Sequence, residues 1–369
     1  MLRRFWILTL VSLPALMIGC RDINATTGLL PVEQYEVPEN PGSIVTSRQG
    51  TDFRELSWTN ADEAVVFSTS SYDYRIESLR VDNGEFRPLL TSPDFLAYIT
   101  PNADGTAIFF ARQSSTSLAR MVVRHSLTGD SAEEVLSVNT SGWNGGTNIG
   151  GLSFLLAPDG HQVAVVTRPD SLSVYDPASH QSRFVATGCK SLVAWAPDAS
   201  EVLCMSPDVV QPFRTFTRIS LSNGSRQPVS MAQEISDYPG IVRWDASGLR
   251  IISSGYNAVS VFDGNTSKVT VLLPAGDILT GPGIDPDHFA WSQDGRRVAF
   301  WTRQCVRNIG WTSCGGSQAV LTVADLASNT VRQVAIYHYS GLQTGAIAFS
   351  PDGTHLLHSL GPTLYIKPV

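Results

Sequence analysis

AFSPDGTHLLHSLGPTLYIKPV, residues 348–369, is the stretch that decides the fold. It holds the phrase Phe-Ser-Pro-Asp-Gly, then an apolar run, a Gly-Pro break and a second apolar run. Pro presets φ, the Asp side chain bonds the backbone two residues on, and Gly accepts positive φ. Ser-Pro-Asp-Gly therefore spells a tight turn between two strands. Going back along the chain, the phrase recurs. FAWSQDGRRVAFW begins at Phe289, VRWDASGLRIISS at Val242, VAWAPDASEVLCM at Val193 and FLLAPDGHQVAVVT at Phe154. YITPNADGTAIFFA begins at Tyr98 and LSWTNADEAVVFS at Leu56. The seven turn positions (Ala61, Asp104, Asp159, Asp198, Ser247, Asp294 and Asp352) lie 39 to 58 residues apart. Short strands repeating at that period are propeller blades.

Two alternate positions before each turn are apolar. The nearer are Trp58, Ile99, Leu156, Trp195, Trp244, Trp291 and Phe349; the farther are Leu56, Ala97, Phe154, Val193, Val242, Phe289 and Ile347. A period of two sets both on one strand face, against the neighbouring blade. Third and fourth strands follow, such as SLSVYD with SRFVAT and AVSVFD with KVTVLL. Six units have all four. The seventh has TLYIKPV as its third strand, and there the sequence ends. An open sheet edge is costly, so the missing strand is expected from GSIVTSRQG at Gly42–Gly50. The sequence predicts an all-β fold: a seven-bladed propeller of four-stranded blades over 43–369, closed by an N-terminal strand.

With 369 residues, 43% hydrophobic and 16% charged, the chain is globular rather than disordered. A formal charge of −7, with no basic cluster beyond the first residues, argues against a nucleic-acid surface. Arg3 and Arg4 precede an apolar run, Phe5 to Ile18, too short to span a bilayer comfortably. It ends in Met17-Ile18-Gly19-Cys20, which resembles a bacterial lipobox. Residues 1–19 are thus expected to be a lipoprotein signal peptide, Cys20 the lipidated residue and 20–42 a flexible linker. Arg21, not Asp, follows the cysteine. By the sorting pattern of proteobacterial lipoproteins, that implies the periplasmic side of the outer membrane.

The Trp-Ser-Pro-Asp-Gly phrase followed by an apolar strand resembles the TolB-type, WD-like propeller repeat, over roughly residues 43–369. The resemblance implies the fold and little about function. The family's namesake carries an extra N-terminal α/β domain, whereas here about twenty linker residues precede the repeats, so its partner-binding role does not transfer directly. Similar propellers also precede the hydrolase domain of prolyl-oligopeptidase-like peptidases, but the sequence contains no Gly-x-Ser-x-Gly nucleophile elbow.

Candidate binding residues fall on the long loops joining strands two to three and one blade to the next: 139–151, 206–214, 276–288, 303–316 and 337–344. They carry Trp143, Phe213, Trp311, Tyr337 and Tyr339. Aromatics on loops of a rigid scaffold suit a protein or a glycan; the competing reading is that they fold back and cap the blades. Arg243 and His288 stand out on the innermost strands, either as channel groups meeting an anion or as side chains bonded to channel water. In an exported chain, Cys305 and Cys314 are the first expected disulfide. Cys189 and Cys204, across the turn at Pro197-Asp198, are the second. No zinc, calcium, phosphate or cofactor signature occurs. The inner strands are nearly free of acids, with Glu55 the nearest candidate for glycosidase chemistry. The expectation is a non-catalytic envelope lipoprotein binding a protein partner as adaptor or scaffold. Its alternatives are a carbohydrate- or peptide-acting enzyme and a small-ligand sensor.

Overall fold

The computed structural model describes residues 42–70, 73–102, 104–114, 120–129, 131–138, 153–167, 170–205, 216–229, 239–255, 258–266, 268–273, 289–305, 308–310, 313–314, 317–338 and 344–369. They form seven four-stranded antiparallel sheets and one small two-stranded ribbon. Strands are lettered A to D outward from the channel. Blade 1 is Asp52–Trp58, Glu63–Thr69, Tyr74–Arg80 and Glu85–Ser92; blade 2 is Phe95–Pro101, Ala107–Gln113, Arg120–Ser126 and Ala132–Val138. Blade 3 is Ser153–Leu156, Val163–Thr167, Ser171–Asp176 and Gln181–Ala186; blade 4 is Ser191–Trp195, Glu201–Met205, Phe216–Ser220 and Arg226–Val229. Blade 5 is Pro239–Asp245, Gly248–Gly255, Ala258–Asp263 and Lys268–Leu273; blade 6 is Phe289–Trp291, Arg297–Cys305, Ser317–Asp325 and Thr330–His338. The ribbon, Asn308–Gly310 with Ser313–Cys314, lies between strands B and C of blade 6.

Blade 7 has Thr344–Phe349, His355–Leu360 and Thr363–Pro368 as strands A to C, and Ser43–Ser47 as strand D. The expected N-terminal closure is the one found. Ser43 pairs with Ile366 and Ser47 with Thr363, and the Arg48 amide donates to Pro362 O at 2.8 Å. Arg48 then reaches into blade 1. Its guanidinium lies 3.7 Å over the Phe86 ring and 2.7 Å from the buried Glu77 carboxylate.

Buried apolar residues gather in seven wedges, one between each pair of neighbouring blades. Burying one face of each sheet against the next blade, rather than in a single centre, is what period-two strands permit. The wedge between blades 3 and 4 encloses the disulfide Cys189–Cys204, whose Cα atoms are 5.3 Å apart. Cys305 and Cys314 fall in strand B of blade 6 and in the ribbon, and their side chains lie outside the described residues. So do residues 1–41, including Cys20.

The turn phrase behaves as its chemistry demands. Oδ1 of Asp104, Asp159, Asp198, Asp294 and Asp352 each accepts the amide two residues on, at 3.0 Å. Gly105, Gly160, Gly295 and Gly353 follow with φ of 67° to 74°, and Ala199 takes that conformation at 56° in blade 4. The two repeats lacking Asp at the expected position find an acceptor earlier. Asn60, not Ala61, accepts from Asp62 and Glu63, and Asp245, not Ser247, accepts from the Ser247 amide. Blade 2 also departs from the expected frame. Its turn is Asn102-Ala-Asp-Gly105, with Asn102 N bonded to Ala107 O. Pro101, and not Ile99, therefore stands where the other blades place Trp58 or Trp291.

Candidate functional site

The A–B turns ring one mouth of the central channel, and two clefts open there. The first, about 390 Å³, lies among blades 3 to 6 and is lined by Leu155, Leu156, Pro158, Trp195, Val242, Arg243, Trp244, Asp245 and Trp291, with Val193 and Ala194. The second, about 480 Å³, lies among blades 6, 7 and 1 and reaches Asn102 of blade 2. Trp291 lines both.

Three pairs of neighbouring blades are fastened to each other at this mouth. The indole N–H of Trp58 donates to Ala348 O at 3.4 Å, and that of Trp195 to Leu155 O at 2.9 Å. Both bonds run from the Trp of one repeat to the mid-strand carbonyl of the preceding blade. Arg243 makes the reverse connection. Its Nη1 donates to Ser292 O at 2.8 Å, Nη2 to Gln293 O, and Nε to the Asp245 carboxylate. Arg250 adds a bond to Gly295 O. The channel cation read as an anion contact is instead a clasp from blade 5 onto the blade 6 turn, with its charge already matched by Asp245. Farther out, Arg87 donates to Leu127 O, Arg183 to Leu221 O and Arg297 to Val369 O, each reaching the next blade.

The acids near the mouth are likewise engaged. Ser350 Oγ donates to Asp352 Oδ1 at 2.6 Å and accepts from the His355 amide at 3.0 Å; Ser292 does the same with Asp294 and Arg297. The Ser350 hydroxyl, then the Thr354 amide and hydroxyl, bring Asp352 down to about 2. The hydroxyls of Thr106 and Ser200 lower Asp104 and Asp198 in the same way. Glu55 accepts from the amides of Ile99 at 2.7 Å and Tyr98 at 3.1 Å. These belong to a bulge of blade 2 in which Tyr98 has φ of 59°. Glu55 is half-buried, and burial pushes its carboxyl up against the opposing pull of the two amides. The nearest glycosidase candidate thus caps a neighbouring strand. Among the described residues, no three His, Cys, Asp or Glu side chains converge to hold a metal ion.

Of the aromatics expected on exposed loops, Tyr337 sits at the end of strand D of blade 6 and is 9% exposed. It packs against Trp301, His358 and Tyr365 with ring centroids 5.5 to 6.0 Å apart, and burial pushes its hydroxyl up. It is core, because a period-two strand carries it inward at the wedge between blades 6 and 7. Trp143, Phe213, His288, Trp311 and Tyr339 lie outside the described residues. The Trp clips were not anticipated, although a half-buried Trp repeated at one strand position is itself a sign that its N–H has a partner.

No protein-family model matches the sequence, and no curated protein matches it. Solved structures do match the fold. An oligogalacturonate lyase in complex with manganese superposes with a TM-score of 0.63 at 15% identity, covering 91% of this chain and 95% of that one. An oligogalacturonate lyase from Vibrio parahaemolyticus gives 0.64 at 11% identity, covering 90% and 95%. TolB from Acinetobacter baumannii gives 0.48 at 16% identity, covering 79% and 66%. The two lyases share the ring. At such identities the likeness speaks for the fold alone.

Proposed function

We propose that this chain is a non-catalytic binding module: a lipoprotein tethered through Cys20 to the cell envelope, whose propeller engages a protein partner. The observation that carries the reading is the commitment of the mouth carboxylates. Five turn aspartates accept backbone amides, and Glu55 caps blade 2. Such groups hold a scaffold still; they are not poised as an acid–base pair.

The partner face in this reading is the one opposite the A–B turns, where the loops carrying Trp143, Phe213, Trp311 and Tyr339 leave the blades. A linker of about twenty residues spans roughly 25 Å as a random coil, which keeps the ring close to the membrane. Arg21 directs the lipoprotein to the outer membrane, so Arg21→Asp should move it to the inner-membrane fraction.

The test is cross-linking in cells followed by recovery through a tag after Val369 and mass spectrometry. Strand C of blade 7 ends at the A–B turn face, so this tag leaves the opposite face clear. One envelope protein should be enriched, and Trp143→Ala and Trp311→Ala should each lower its recovery about tenfold with an unchanged melting temperature. A folded, lipidated preparation that enriches nothing sinks the adaptor reading.

A further inference from the structure

We propose that the cleft among blades 6, 7 and 1 is a binding site for an uncharged saccharide, a role independent of the partner reading above. Its volume of about 480 Å³ falls within the roughly 300–1,000 Å³ of small-ligand sites. Three consecutive blades contribute an aromatic side chain to its lining: Trp291, Phe349 and Trp58. Ser57, Asn102 and Gln293 supply neutral hydrogen-bonding groups, and no residue lining it is ionisable. Aromatic faces pack against the C–H faces of a pyranose, while amides and hydroxyls both give and accept the hydrogen bonds its hydroxyls need. A uronate would bring a carboxylate to a cleft with no cation to meet it.

Trp291 supplies a second, independent observation. Its repeat equivalents Trp58 and Trp195 each donate their indole N–H to a carbonyl of the preceding blade. Nε1 of Trp291 is buried and finds no acceptor among the described residues. A buried donor without an acceptor is rare in a folded chain. The ring that carries it walls the cleft, and turning this N–H toward a sugar oxygen would satisfy it.

The measurement is a tryptophan-fluorescence titration of the mature chain with N,N′-diacetylchitobiose, cellobiose and digalacturonate, paired with saturation-transfer NMR. At least one neutral disaccharide should bind saturably, insensitive to salt, and about tenfold more tightly than digalacturonate. Trp291→Phe keeps the ring and removes the donor, and should weaken binding about fivefold. Gln293→Ala, on an exposed turn, should weaken it two- to fivefold without a change in melting temperature, and serves if the tryptophan variant fails to fold. The proposal is overturned if neither neutral disaccharide binds to folded protein at concentrations on the order of 10 mM. Equal binding of digalacturonate, or undiminished binding in Gln293→Ala, overturns it as well.

Discussion

The carboxylate of Asp352 sits at about 2, below its ordinary 3.8, because the Ser350 hydroxyl and then the Thr354 amide and hydroxyl bind its ionised form. The ionised turn therefore favours the folded state. That contribution is complete above the unfolded value and is lost as pH falls from 3.8 through about 2. Asp352→Ala should lower the melting temperature at pH 6, and the deficit should shrink toward zero as the pH is brought to 2. A deficit that stays constant across this window would remove the turn carboxylate from the argument. Glu55 runs the other way. Burial raises it above 4.5, so the folded state holds its proton more tightly, and its charge opposes folding as the pH rises through the raised value. The two amides it caps offset that cost. Glu55→Ala removes the acceptor of the part-buried Ile99 amide and should destabilise by roughly 1–2 kcal/mol, measured by denaturant unfolding at pH 7. The turn role of aspartate was legible in the sequence because it depends on neighbours within three residues. The capping role of Glu55 was not, since its partners lie 43 and 44 positions away.

Elements meet where glycine lets backbones touch. Gly224, in the C–D turn of blade 4, has φ of 69°, and a Cβ there would stand 2.5 Å from Val185 O of blade 3. Gly84 occupies the same place in blade 1, against Val45 O of the closing strand. Gly224→Ala combines a left-handed backbone with a main-chain clash that no rotamer relieves, and should cost about 1–3 kcal/mol. The Cys189–Cys204 bridge closes a segment of 15 residues, for which loop entropy gives about 3 kcal/mol. Replacing both cysteines by Ser should lower the unfolding midpoint accordingly. A midpoint unchanged by the double replacement would show that the wedge, not the bridge, holds this hairpin. At this scale the strands were readable from alternation, but blade frames were readable only where the turn kept its usual length. In blade 2 the turn falls at Asp104 as expected, but the apolar pair Ala97 and Ile99 was set two residues early, because a bulge at Tyr98 shifts the strand and leaves Pro101 before the turn. In blade 5 Trp244 holds its expected place opposite Leu249, and only the turn is shorter, with Asp245 paired to Gly248.

For the whole molecule, seven wedges share the apolar burial, and each depends on both of its blades being in place. Strand Ser43–Ser47 completes the last of them. Its deletion should lower the melting temperature of the entire ring in one transition, by on the order of 10 °C or more. Two separate transitions, one of them unchanged, would count against a cooperatively closed ring. The number of blades and the site of closure were both legible, because a missing fourth strand at one terminus and a spare strand at the other leave one economical arrangement. The channel mouth was less so. Its clefts depend on how seven strand edges converge, and Arg243 looks like a lone channel cation until the blade 6 turn stands beside it.

The clasp between Ser47 and Thr363 spans 316 residues of chain. The earliest strand among the described residues is thus the last to be placed. It waits with both edges bare until every blade has emerged, and the long-range contact it makes is the slowest kind to form. A ring built this way cannot pair its first described strand until its last blade exists. A chain stalled or cut before Thr363 lacks the partner of its own beginning, so truncation at the C-terminus is reported at the N-terminus as an unpaired edge open to proteases.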